Sequence, residues 1–93
     1  MEEDAWKLAL PGFHSEAIVS MDLATKMDRL VTVSTDLTAR IWKLCPLQCE
    51  VCHMTEEEPR SVAIHPSGFE LAIGYHSAIQ LYNITSDHLL PTQ

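Results

Sequence analysis

The feature that most constrains this chain is that it resembles itself. The stretch "SMDLATKMDRLV" (20 to 31) falls on "SVAIHPSGFELA" (61 to 72) at an offset of 41, so that Met21 meets Val62, Leu23 meets Ile64 and Leu30 meets Leu71. After a turn one residue shorter in the second copy, "ARIWK" (39 to 43) falls on "IQLYN" (79 to 83), pairing Ile41 with Leu81 and Trp42 with Tyr82. A unit that recurs about every 40 residues is one supersecondary element, and it buries its apolar faces against its neighbours.

Within each copy the residues alternate with period 2, as half-buried strands do. Ile18 to Leu23, Arg29 to Thr35 and Thr38 to Lys43 read as strands in the first copy, with the polar turn Asp36-Leu37 between the last two. Ser61 to His65, Glu70 to Tyr75 and Ala78 to Asn83 take the same places in the second, with Pro66-Ser67-Gly68 as a turn. Trp6 to Leu10 and Leu47 to Cys52 are the strands that precede each copy. Prolines at 11, 46, 59, 66 and 91 leave no room for a long helix. The expected fold is all-β: antiparallel four-stranded blades, about two of them, from an incomplete β-propeller. Residues 1 to 11 read as a tail and the outer strand of a preceding blade. Residues 12 to 52 read as blade 1, and 53 to 93 as a degenerate, truncated blade 2 with three strands and a tail.

Four residue types in the first copy fit together chemically. Gly12-x-His14 precedes the first strand, Thr32 and Ser34 lie on the second, Asp36 sits in the turn and Trp42 ends the third. An indole N–H is donor only, a hydroxyl and an imidazole both donate and accept, and a carboxylate accepts only. Buried together they satisfy one another. The run from the Gly-His opening to "VSTDLTARIWK" resembles the WD repeat of β-propellers. That resemblance implies a structural hydrogen-bond network of His14, Ser34, Asp36 and Trp42. Thr32 and Ser34 share a strand face, so the choice between the two hydroxyls stays open, with Ser34 favoured. Lys43 stands where the family dipeptide has Asp, and the second copy has Tyr82 for Trp, Ser77 for Asp and no Gly-His pair. The second blade is therefore expected to rest on apolar packing alone.

"CEVCH" (49 to 53) has the form of a c-type haem attachment signature, and with Cys45 it offers four candidate zinc ligands. On a strand, alternation sends Cys49 and Cys52 to opposite faces, whereas haem attachment needs both sulfurs and the imidazole on one side. Structural zinc sites draw their ligands as two close pairs separated by a longer loop, which this spacing does not supply. A small metal- or haem-binding module is the competing function class; the plainer reading is free thiols on a strand, with no metal and no cofactor.

Composition narrows the partners. The net charge is −7 and the six basic residues are scattered singly, which argues against nucleic acid. No apolar run of about 18 residues is present to span a membrane. The acidic start Met1-Glu2-Glu3-Asp4 is unlike a secretory signal. The five histidines are dispersed at 14, 53, 65, 76 and 88 with no carboxylate–histidine–nucleophile spacing, so no enzyme activity is expected. Glu56, Glu57, Glu58 and Arg60 form a candidate partner-binding loop for a basic protein surface, set against a plain solvated loop.

"FHSEAIVSMDLA", "VSTDLTARIWK" and "EEPRSVAIHPSGFELAIGYHSAIQLYNI" look like the cilia- and flagella-associated WD-repeat proteins of the axoneme. The resemblance implies a cytoplasmic, cytoskeletal scaffold for other proteins in the cilium or flagellum, axonemal or cytoskeletal ones such as tubulin or dynein-regulatory components. A WD-repeat adaptor outside cilia, such as a ubiquitin-ligase substrate receptor, is the alternative. Two blades leave outer faces bare, so the expectation is a fragment, short isoform or incomplete product that needs the remaining blades of a longer chain, or self-assembly, to close a propeller.

Overall fold

The computed structural model describes residues 16–44 and 47–92, and these form two antiparallel four-stranded sheets, each a meander in chain order. The first contains β1 (Ile18–Ala24), β2 (Arg29–Ser34), β3 (Thr38–Leu44) and β4 (Leu47–Met54). The second contains β5 (Ser61–Ile64), β6 (Glu70–Gly74), β7 (Ile79–Ile84) and β8 (Leu89–Pro91). A single 3₁₀ turn, Thr25–Met27, joins β1 to β2. This is the all-β architecture of two four-stranded WD-type blades. Trp6 to Leu10, Gly12, His14 and Cys45 lie outside the described residues.

The second sheet has one strand more than the three expected. β8 pairs with β7 through Tyr82↔Pro91, Asn83↔Leu90 and Ile84↔Leu89. It is three residues long and ends at Pro91, which suits an edge strand because proline has no N–H to offer a further neighbour.

The core lies between the sheets. Val31, Val33, Ala39, Ile41 and Val51 of the first pack against Val62, Ile64, Leu71, Ile73, Tyr82, Ile84 and Leu89 of the second. The inner strands make the joint, β5 lying against β1 and β2. Polar links cross it as well: the Ile64 N–H donates to Asp22 Oδ2 at 2.8 Å, and Arg29 Nη1 donates to the Gly68 carbonyl at 2.7 Å. Arg29 also faces Glu50 at 3.6 Å and lies 5.6 Å from the centre of the Phe69 ring. Gly68 is needed at that contact. Its φ is +79°, and a Cβ there would meet Met27 Cβ at 2.7 Å.

Candidate functional site

In the first sheet the indole of Trp42, fully buried, donates to Thr32 Oγ1 at 2.9 Å. The favoured hydroxyl, Ser34, has other partners: it donates to the Glu16 carbonyl at 3.3 Å and accepts from the Asp36 N–H at 3.1 Å. The reason is register. Ser34 pairs with Thr38 at the turn and Leu30 pairs with Trp42, so Thr32 is the hydroxyl one step diagonally from the indole. Asp36 Oδ1 accepts from the Thr38 N–H at 3.0 Å and from the Thr38 hydroxyl, which closes the β2–β3 turn while Leu37 takes a left-handed φ of 66°. Ser34 and Asp36 thus shape the turn, and Thr32 and Trp42 lock the sheet face. His14 lies outside the described residues.

The second sheet does not rest on apolar packing alone. Tyr82, at the position of Trp42, shares a hydroxyl–hydroxyl hydrogen bond of 2.7 Å with Tyr75, at the position of Ser34. Burial first, then the bond to Tyr82 and the nearby Glu57 and Glu56, push the Tyr75 phenol well above its ordinary range. His53 meets the Tyr82 ring edge-on at 5.2 Å between centroids, across the joint between the sheets. Desolvation there, with a smaller contribution from His88, holds His53 below the usual imidazole value.

The "CEVCH" stretch is arranged differently from strict alternation. Ile41 pairs with Val51 but Trp42 pairs with Cys49, so Glu50 is an extra residue in β4. This β-bulge resets the alternation. Cys49 lies with Trp42, and Cys52, opposite Arg40, falls on that same face. His53, opposite Ala39, falls on the other face, where it meets Tyr82. The sulfurs are therefore together and the imidazole apart, so no single side of the strand presents the full haem-attachment set. Burial, partly offset by Arg40, raises the Cys49 thiol pKa. Among the described residues no group of three or more His, Cys, Asp or Glu side chains is placed to hold a metal ion.

The β2–β3 turn and the loop after β4 form one rim. The Thr55 N–H donates to the Leu37 carbonyl at 2.8 Å, and the Arg60 N–H donates to the Gly74 carbonyl at 2.7 Å. Thr55 and Pro59 are buried, and Glu56, Glu57, Glu58 and Arg60 are exposed between and beside them. The acidic tract is thus carried on backbone fixed at both ends, beside Tyr75.

No protein-family model matches the chain. Among curated proteins it is 37% identical over 78 residues to cilia- and flagella-associated protein 57 A of Tetrahymena thermophila, a match covering 84% of this chain. It is 30% identical over 78 residues to cilia- and flagella-associated protein 57 of Mus musculus, and 36% identical over 78 residues to WD repeat-containing protein 90 of Xenopus tropicalis. The chain is a homologue of these WD-repeat proteins. It spans 6% of the length of the first two and 4% of the third, and corresponds to a segment of each. The homologue's two WD-type sheets supply the frame on which the rim stands.

Proposed function

We propose that this WD-repeat segment is a non-catalytic protein-interaction scaffold of the ciliary or flagellar axoneme. The observation that carries the reading is the pairing of two blade-like sheets with relatives whose names place them in cilia and flagella. In this reading residues 12 to 52 form one blade and 53 to 93 a second, degenerate one. The contacts of Thr32 with Trp42, and of Ser34 with Asp36, are the internal hydrogen bonds that hold the first blade's turns in place. The exposed Glu56-Glu57-Glu58 tract and Arg60 are the surface offered to a partner. Three carboxylates on an anchored loop complement a basic patch, and loops on a rigid sheet frame are where recognition residues collect. Axonemal or cytoskeletal proteins such as tubulin or dynein-regulatory components are the partner class, and no cofactor or nucleic acid is assigned.

The test is fractionation of ciliated cells of the source organism with an antibody to residues 56 to 68. Retention in detergent-extracted axonemes, lost when cilia are absent, is the expected result. An equal cytoplasmic signal in cells with and without cilia would replace this reading with a WD-repeat adaptor outside cilia. A separate pull-down compares the wild-type loop with Glu56, Glu57 and Glu58 changed to Gln; loss of axonemal partners with no change in folding is expected.

A further inference from the structure

The β-bulge in β4 brings two thiols together as well as turning one of them over. In a plain strand, residues three apart stand at about 10 Å and on opposite faces. Here Cys49 pairs with Trp42 and Cys52 with Arg40, and those partners are only two residues apart on β3. The register therefore draws the Cα atoms of the two cysteines to about 6.6 Å. That is within the roughly 4.4–6.8 Å that a disulfide spans. The Cys49 sulfur leans along the strand over the remaining distance. Its S–H donates to the Val51 carbonyl at 3.4 Å, and that carbonyl belongs to the peptide unit that ends at the Cys52 nitrogen. Both cysteines are free thiols on one face of the strand, while His53 is turned away into the joint.

We propose that Cys49 and Cys52 are an oxidative modification site, closed by peroxide into a reversible disulfide that staples the bulge. Cys52 is the exposed thiol, and as thiolate it takes one oxygen of hydrogen peroxide to become a sulfenic acid. The other oxygen leaves as hydroxide and departs as water with the Cys52 proton. The Cys49 thiolate then attacks the Cys52 sulfur, forming the S–S bond and displacing hydroxide. That hydroxide takes the Cys49 proton and leaves as the second water. The two thiols have lost two electrons and two protons, and the peroxide is reduced to water. The surroundings divide the roles in this order. Burial raises the Cys49 thiol pKa, which suits the sulfur that acts second, and the Arg40 guanidinium beside it favours the thiolate as it attacks. The site depends on the bulge and not on the scaffold reading, so the two fail separately.

The test treats the reduced 93-residue chain with hydrogen peroxide, alkylates the remaining thiols and measures the tryptic peptide 44–60, which carries all three cysteines. Far-UV circular dichroism checks that each variant is folded. In Cys45→Ser the peptide is expected to be lighter by two hydrogens and to take up no alkylating reagent, and a thiol reductant is expected to restore both sites. Cys49→Ser on that background is expected to stop at the sulfenic acid of Cys52, which dimedone captures. In the folded wild-type chain Cys45 is expected to stay free for alkylation, whereas in guanidinium chloride the bond is shared among the three cysteines. A Cys45→Ser peptide still alkylated at both Cys49 and Cys52 would overturn the proposal. So would a bond formed between two chains, or a pairing in the folded wild type no more selective than in denaturant.

Discussion

Thr32 and Ser34 show how two hydroxyls on one strand face acquire different work. Thr32 is buried under the indole of Trp42, and its loss strands a buried donor. Thr32→Val is expected to cost about 1–3 kcal/mol of unfolding free energy. Ser34→Ala leaves the indole bonded and removes a turn contact worth about 1 kcal/mol. Denaturant titration of the two variants side by side checks the order; equal losses would show that the indole bond has no special weight. The chemistry of the group was legible in the sequence, since donor and acceptor types matched. The choice of hydroxyl was within reach too: pairing Ser34 with Thr38 across a tight turn and counting back places Thr32 nearest Trp42. Gly68 is a second residue-scale case, readable as a turn glycine from Pro66-Ser67-Gly68 but not as a contact. Met27, 41 residues earlier, occupies the space its Cβ would take. Gly68→Ala is expected to destabilise by roughly 1–3 kcal/mol, measured in the same titration, because a left-handed φ and a steric clash act together.

At the scale of elements, β4 is where strict alternation misleads. A single extra residue, Glu50, moves Cys52 to the face of Cys49 and leaves His53 turned into the joint. Nothing in "CEVCH" announces the bulge, because the signal is a pairing irregularity with β3 and belongs to two strands at once. β8 was missed for a related reason: three residues ending in proline carry too little pattern to read as a strand until β7 supplies a partner. The placement of His53 has a pH consequence. Its folded-state pKa is lowered by burial, so the unfolded chain takes up a proton more readily than the folded one. The joint is then unaffected well above the ordinary value of 6.5, and stability falls as pH drops below it toward the folded-state pKa. His53→Gln is expected to flatten that decline between neutral and mildly acid pH, and thermal melts of both proteins across the range would measure it. A decline of the same slope in the variant would show that His53 does not cause it.

For the whole molecule, the repeat was the most legible feature, because a period near 40 with strand alternation already implies sheets that need one another. Most strands were readable one by one; the joint was not, since Asp22 meets Ile64, Arg29 meets Gly68 and His53 meets Tyr82 across long stretches of sequence. The joint decides whether either sheet persists. Val31, Val33, Ala39 and Ile41 are fully buried in the intact chain, and they are covered by Val62, Ile64, Ile73 and their neighbours from the second sheet. Removing residues 55 to 93 would uncover that face and free the side chain of Asp22 from its bond to Ile64. Hydrogen bonds within β1 to β4 do not compensate, because their net contribution is small beside the apolar area lost. A chain of residues 1 to 54 is therefore expected to show no cooperative thermal transition by circular dichroism under conditions where the full chain melts sharply. If the half-chain melted cooperatively, the first sheet would hold itself together, and the joint would be a contact between two independent units rather than the core they share.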